Sequence, residues 1–201
     1  MITIIDYGMG NLGSVQNMFK YLGVPSIITE DLDKVAKAQK ILLPGVGAFD
    51  NAMMRLNEKG FRELLDHKAL VEKVPVLGIC LGMQLLTRGS EEGKLSGLNY
   101  ISAGTFRFPK ITGIKVPHMG WNKVTFSTPS VLTNELPEES RFYFVHSFRV
   151  NVDEERNSIL KAEYGIKFDA AIQKENIFGA QFHPEKSHKF GMHLLKNFAR
   201  I

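Results

Sequence analysis

The sequence predicts an α/β fold with a central, mainly parallel sheet flanked by helices and an additional antiparallel strand region in its second half. Three observations lead there. Apolar runs such as KILLPG (40–45) and VPVLGI (74–79) show no polar alternation, which marks strands buried on both faces. Segments of helical period alternate with such runs over roughly the first 90 residues. From about residue 95, strand-like segments follow one another without helices between them.

The elements follow in order. ITIID (2–6) opens as a strand, and a Gly/Asn-rich turn leads into SVQNMFKYLG (14–23). There Val15, Met18, Phe19 and Leu22 recur at helical spacing and Gly23 supplies a stop. SIIT (26–29) is the next strand, DLDKVAKA (31–38) a short helix, and KILLPG a buried strand closed by Pro-Gly. FDNAMMRLNEKGFRELLDHKALV (49–71) has a helical period with a break at Gly60. VPVLGI runs straight into Cys80, and LGMQLLTRGS (81–90) resumes as helix. Beyond it, NYISAGTFRF (99–108), NKVTF (122–126), RFYFVHSFRV (141–150), SILKAEYG (158–165) and FDAAIQ (168–173) read as strands that pair antiparallel. IFGAQF (177–182) is a final strand and KFGMHLLKNFAR (189–200) an amphipathic helix. With no internal repeat, low-complexity tract or linker, residues 1–201 are taken as one domain.

Composition narrows the function classes. At 201 residues, 44% hydrophobic and 23% charged, the chain can bury one substantial core. Its formal charge of +4 comes from scattered lysines and arginines, with no run of like charge and no zinc-finger or RNA-binding signature, so no nucleic-acid partner is expected. No apolar stretch is long enough to cross a bilayer, and MITIID carries neither a basic leader nor a cleavage site, so a cytoplasmic protein without membrane contact is expected. A single cysteine forms no internal disulfide and fits a reducing compartment.

That cysteine stands in Gly78-Ile79-Cys80-Leu81-Gly82-Met83-Gln84. A lone buried cysteine is commonly a small hydrophobe, and flanking glycines commonly serve close packing. Gly-x-Cys-x-Gly at a strand-to-helix junction is also the thiol counterpart of a nucleophile elbow, with the backbone N–H of Leu81 aimed where an oxyanion forms. Cys80 and the loop Gly45-Val46-Gly47 both follow strand ends, where open parallel sheets bind ligands. A thiol nucleophile needs a base. Of six histidines, His183 follows a buried strand, is fixed by Pro184, and has Glu185 two positions on, on the same side of an extended chain. His183, His188 and His193 are spaced by five, not the i, i+4 of a helical metal site, so no metal is expected.

Gly78-Ile-Cys80-Leu-Gly82-Met-Gln84 together with Gln181-Phe-His183-Pro-Glu185 resembles the class I, triad-type glutamine amidotransferases. DYGMGNLGSV (6–15), PGVGAF (44–49), VPHMGWN (116–122) and FYFVHSF (142–148) are similar to the glutaminase subunits of imidazole glycerol phosphate synthases, and the likeness spans nearly the whole chain. The resemblance implies a flavodoxin-like domain, no cofactor, and hydrolysis of L-glutamine through a Cys80 thioester, with His183 as base and Glu185 orienting it. It places the oxyanion against Leu81 and the Gly45-Val46-Gly47 loop, and glutamine against Gly47, Gln84, Ser147 and Phe148. It also implies a heterodimer with a (β/α)₈ barrel cyclase that receives the ammonia, through a face carrying Asn11, Met119, Trp121, Tyr143 and Lys186. Apart from this resemblance, core packing explains Trp121 and Phe148 equally well.

Phe148 stands where that subfamily commonly has tyrosine, Asn99-Tyr100-Ile101 replaces a Gly-Trp pair, and HPEKSHKFGMHLLKNF (183–198) resembles paralogues found with surface-polysaccharide genes. These features imply, as an alternative, a glutaminase that feeds a sugar amidotransferase. A cysteine hydrolase or chaperone on a similar sheet, or a binding module without activity, would share the Gly-x-Cys-x-Gly turn.

Overall fold

A computed structural model describes residues 1–201. The first half alternates strand and helix: β1 (Ile2–Ile5), α1 (Leu12–Tyr21), β2 (Ser26–Thr29), α2 (Leu32–Ala36), β3 (Ile41–Gly45), α3 (Phe49–Glu58), α4 (Phe61–Asp66), β4 (Val76–Cys80) and α5 (Leu81–Leu85). The second half holds β5 (Ala103–Arg107), β6 (His118–Lys123), β7 (Thr125–Phe126), β8 (Arg141–His146), β9 (Phe148–Val152), β10 (Ser158–Tyr164), β11 (Ile166–Lys174) and β12 (Ile177–Ala180). A 3-10 turn (Pro184–Lys186) then leads into α6 (His188–Arg200).

The main sheet runs β2-β1-β3-β4-β12-β11-β10-β7. Its first five strands are parallel neighbours, and the pairing turns antiparallel from β12 to β11 onward. β9 joins β11 and β5, while β6 and β8 form a separate antiparallel ribbon.

Period-two alternation fills two cores. Ile2, Ile4, Leu42, Leu77 and Ile79 point to one face with Val15 and Phe19 of α1 and Leu194, Leu195 and Phe198 of α6. Ile5, Ile41, Leu43 and Val76 point to the other with Phe49, Met53 and Leu56 of α3 and Phe61 and Leu65 of α4. Each such side chain contributes about 1.5–3 kcal/mol when fully buried. Local signals set the helix ends. Asp31 accepts from the backbone N–H groups of Asp33 and Lys34 at the start of α2, and Gly60, with φ 74°, separates α3 from α4.

Four expectations are corrected. The helix after Cys80 ends at Leu85, not near residue 90, because the backbone of 97–101 takes its terminal carbonyls: Leu98 N–H donates to Leu85 O at 2.8 Å and Tyr100 N–H to Leu86 O at 2.9 Å. For the same reason residues 99–102 are not strand, and β5 begins at Ala103. RFYFVHSFRV is not one strand: the chain bends at Ser147, leaving the β6–β8 ribbon and entering the main sheet as β9. The strand expected at 122–126 is two, because buried Val124 bonds Ser140 O and sends Thr125 and Phe126 to β10.

Candidate active site

Cys80 ends β4 with φ 55° and ψ −110°, a conformation that costs a non-glycine residue about 1–3 kcal/mol. Its neighbours allow the sharp turn. A Cβ at Gly82 would be driven into the carbonyl oxygen of Leu43, and one at Gly78 into the backbone of Gly82. The glycines serve close packing, and that packing forces Cys80 to project at the start of α5.

Across the parallel pair β4–β12, the chain leaving β12 delivers His183 beside Cys80. The His183 backbone is pinned to β8, since its N–H donates to Tyr143 O at 2.9 Å. Ser187 Oγ donates to His183 O at 2.6 Å and accepts from the Tyr143 N–H at 3.0 Å. His183 Nδ1 lies 2.8 Å from Glu185 Oε1, and both side chains are nearly inaccessible. Burial pulls the His183 pKa down, but pairing with Cys80 and with Glu185 outweighs it and raises the value to about 10. The second oxygen of Glu185 is buried without a partner.

A cavity of about 370 Å³ opens over these groups, lined by Cys80, Leu81, Gln84 and His183, by Val46 and Gly47, by Val145 to Phe148, and by Glu92, Pro117 and Lys186. Gly47 has φ 110°, open to glycine and strained for other residues. Gly45 does not line the cavity. It stays in the ladder opposite Cys80, where its missing side chain admits the hydroxyl of Tyr7 and the side chain of Leu81. Gln84 Nε2 is committed to Gln181 Oε1 at 3.0 Å and Phe148 O at 3.3 Å, which leaves its carbonyl oxygen for a ligand.

Of the residues expected at a partner face, Lys186 lines this cavity, and Met119, Trp121 and Tyr143 lie on the ribbon. Trp121 pairs with Tyr143 across β6–β8, is 44% exposed, and stacks on His188 with ring centroids 5.5 Å apart. Lys186 Nζ sits 5.8 Å from the Tyr143 ring centroid, and Met119 is 61% exposed. Asn11 follows the end of β1, where its side chain caps α1 by accepting from Ser14 N–H. His183, His188 and His193 point to three places, the last donating from Nε2 to Asn134 O at 2.9 Å. No group of three or more His, Cys, Asp or Glu side chains is placed to hold a metal ion.

Several residues at the site were not singled out from sequence. Tyr7 donates to Pro44 O at 2.8 Å at the base of the Val46–Gly47 loop, and burial raises the pKa of its phenol. Glu92 faces the cavity with one oxygen accepting from Phe49 N–H at 3.0 Å. In sequence it is one of a pair of loop carboxylates, with nothing to separate it from a surface charge. Gln181, within 3.9 Å of Cys80 Sγ, stands in the Gln-Phe-His motif and was open to notice there.

A family model for class-I glutamine amidotransferases matches residues 3–201, and the chain belongs to that family of glutamine-dependent enzymes. Among its relatives is imidazole glycerol phosphate synthase subunit HisH 2 of Methanococcus maripaludis, 52% identical over 200 residues covering 100% of this chain and 99% of the relative. Subunit HisH of the same synthase from Bdellovibrio bacteriovorus is 48% identical over 204 residues, covering 100% of both chains. The fold is shared with solved structures of low identity. A glutamine amidotransferase of Thermotoga maritima superposes with TM-score 0.65 at 18% identity, over 99% of this chain and 80% of that one. PurLQS from the same organism gives 0.69 at 18%, over 99% and 97%.

Proposed function

We propose that the chain is the glutaminase subunit of an imidazole glycerol phosphate synthase. The observation that carries the chemistry is the convergence of Cys80, at a strained turn, with the His183–Glu185 pair in one cavity large enough for an amino acid. Full-length identity to synthase subunits supports the assembly.

In this mechanism His183 Nε2, the nitrogen left free by Glu185, first takes the Cys80 thiol proton, and the resulting thiolate Sγ attacks the side-chain amide carbon of glutamine. The tetrahedral oxyanion is stabilised by Leu81 N–H and by a backbone amide of the Val46–Gly47 loop turned toward it. His183 delivers the proton to departing ammonia, and water then cleaves the thioester to glutamate with His183 again as base. Glu92 offers its free oxygen to the substrate's ammonium group, and Gln84, Ser147 and Phe148 line the remainder. Ammonia free in water becomes ammonium, a poor nucleophile, so it is passed through a dry route to a separate (β/α)₈ cyclase subunit docked on the face of Asn11, Met119, Trp121, Tyr143 and Lys186.

Two measurements test this. Glutamate release by the chain with its co-purified partner should fall by about 10³-fold or more in Cys80→Ala. Mass spectrometry of what co-purifies from the source cell should identify a (β/α)₈ cyclase, whereas recovery of a sugar-modifying amidotransferase would replace the synthase assignment and leave the glutaminase intact.

A further inference from the structure

Two buried histidines that the sulfur chemistry does not use lie in and behind the cavity wall: His146 lines the cavity, and His118 is not among its lining residues. His118 on β6 and His146 on β8 are 2% and 5% exposed and sit opposite each other in the ribbon. His118 Nδ1 is 2.9 Å from His146 Nε2, and His146 Nδ1 is 2.7 Å from Phe148 O. At the other end Asn122 Nδ2 is 3.3 Å from His118 Nε2 and donates to Glu163 O at 2.8 Å.

These contacts fix every proton. A carbonyl oxygen only accepts, so His146 carries its hydrogen on Nδ1 and, as a neutral ring, leaves Nε2 bare. His118 must then donate from Nδ1, which leaves its Nε2 to accept from the Asn122 amide. Burial pushes the pKa of His146 to about 3 and of His118 to about 4, in keeping with two neutral rings. The rings are also held in place: His118 stacks between Phe144 and Tyr164, with centroids 4.8 and 4.1 Å away.

The chain ends on a carbonyl that matters. Phe148 O also receives Gln84 Nε2, and Gln84, Ser147 and Phe148 all face the cavity. Apolar side chains could fill the same space, but they would leave the Phe148 carbonyl with Gln84 as its one partner. Resting on the assignment of this cavity as a glutamine site, we propose that His146 and His118 are positioning residues of the glutaminase. They form a one-directional hydrogen-bond chain, from Asn122 through both rings to Phe148 O, that sets the wall against which glutamine binds. A wall that holds substrate and transition state alike acts on KM more than on kcat.

The test uses the chain in complex with its co-purified partner. His146→Leu should raise KM for glutamine about tenfold with kcat changed less than about threefold, the loss of one buried donor. His146→Asn, whose amide nitrogen replaces Nδ1, should return KM to within about threefold of wild type. Nitrogen-15 NMR of histidine-labelled protein at neutral pH should show both rings as Nδ1–H tautomers, a readout that also decides the matter if His146→Leu does not fold. An unchanged KM in folded His146→Leu, a loss confined to kcat, or Nε2–H tautomers would overturn the proposal. Cys80→Ser separates the two levels: if it is inert while His146→Leu is silent, only the positioning role falls, and if it stays active the glutaminase assignment falls with it.

Discussion

At the scale of single residues, the His183–Glu185 contact and the packing around Gly82 carry most of the consequence. With its carboxylate replaced by an amide, Glu185→Gln loses the charge that helps hold His183 protonated beside Cys80. It should lower kcat for glutamate release by about 10²–10⁴-fold, the usual worth of an oriented general base, with KM nearly unchanged in steady-state assays. Gly82→Ala pushes a methyl into the Leu43 carbonyl and should destabilise the fold by about 1–3 kcal/mol, measured as a lower melting temperature. Residues whose role follows from a chain-local pattern were legible in the sequence. Cys80 sits between glycines at a strand end, and His183 and Glu185 are two apart in an extended segment. Tyr7, Glu92, His118 and His146 were not, because their meaning lies in partners brought together by folding, as with Tyr7 and Pro44, 37 positions apart.

At the scale of elements, the ribbon β6–β8 and the turn after β12 act as one clamp. Ser187 bonds both the carbonyl of His183 and the N–H of Tyr143, so Ser187→Ala strands two polar groups. It should lower stability by about 1–3 kcal/mol in chemical denaturation, with a fall in kcat as His183 loosens. Phe182, fully buried and stacked on Phe142 at 3.8 Å between ring centroids, anchors the same turn. Phe182→Ala should cost about 3–5 kcal/mol. The alternating first half was readable element by element because its strands are unbroken apolar runs and its helices carry caps. Where reading failed, at residues 86–102 and at Ser147, the deciding forces were distant: backbone capture by 97–101 in one case, and exchange of sheet partners within a continuous β-rich stretch in the other.

At the scale of the whole molecule, buried histidines of opposite behaviour shape the response to pH. His183, raised from 6.5 to about 10, stabilises the fold fully below its unfolded value and loses that contribution as pH rises through about 10. His118 and His146, held at about 4 and about 3, cost nothing above 6.5, but as pH falls below it the unfolded chain binds protons that the folded one refuses. Thermal stability should therefore peak near neutrality and decline on both sides in calorimetry, with His183→Gln flattening the alkaline limb. The proposed partner face belongs to this scale as well. Trp121→Ala should weaken subunit association by about 2 kcal/mol or more in sedimentation or calorimetric titration, because a half-exposed aromatic is a typical anchor. Finally, there is one sulfhydryl per chain, and it is the one at the turn proposed to carry the nucleophile. A glutamine-like electrophile that adds once to each polypeptide therefore reports, as a single mass increment, what fraction of any preparation is competent, so turnover numbers can be normalised to live sites instead of to total protein.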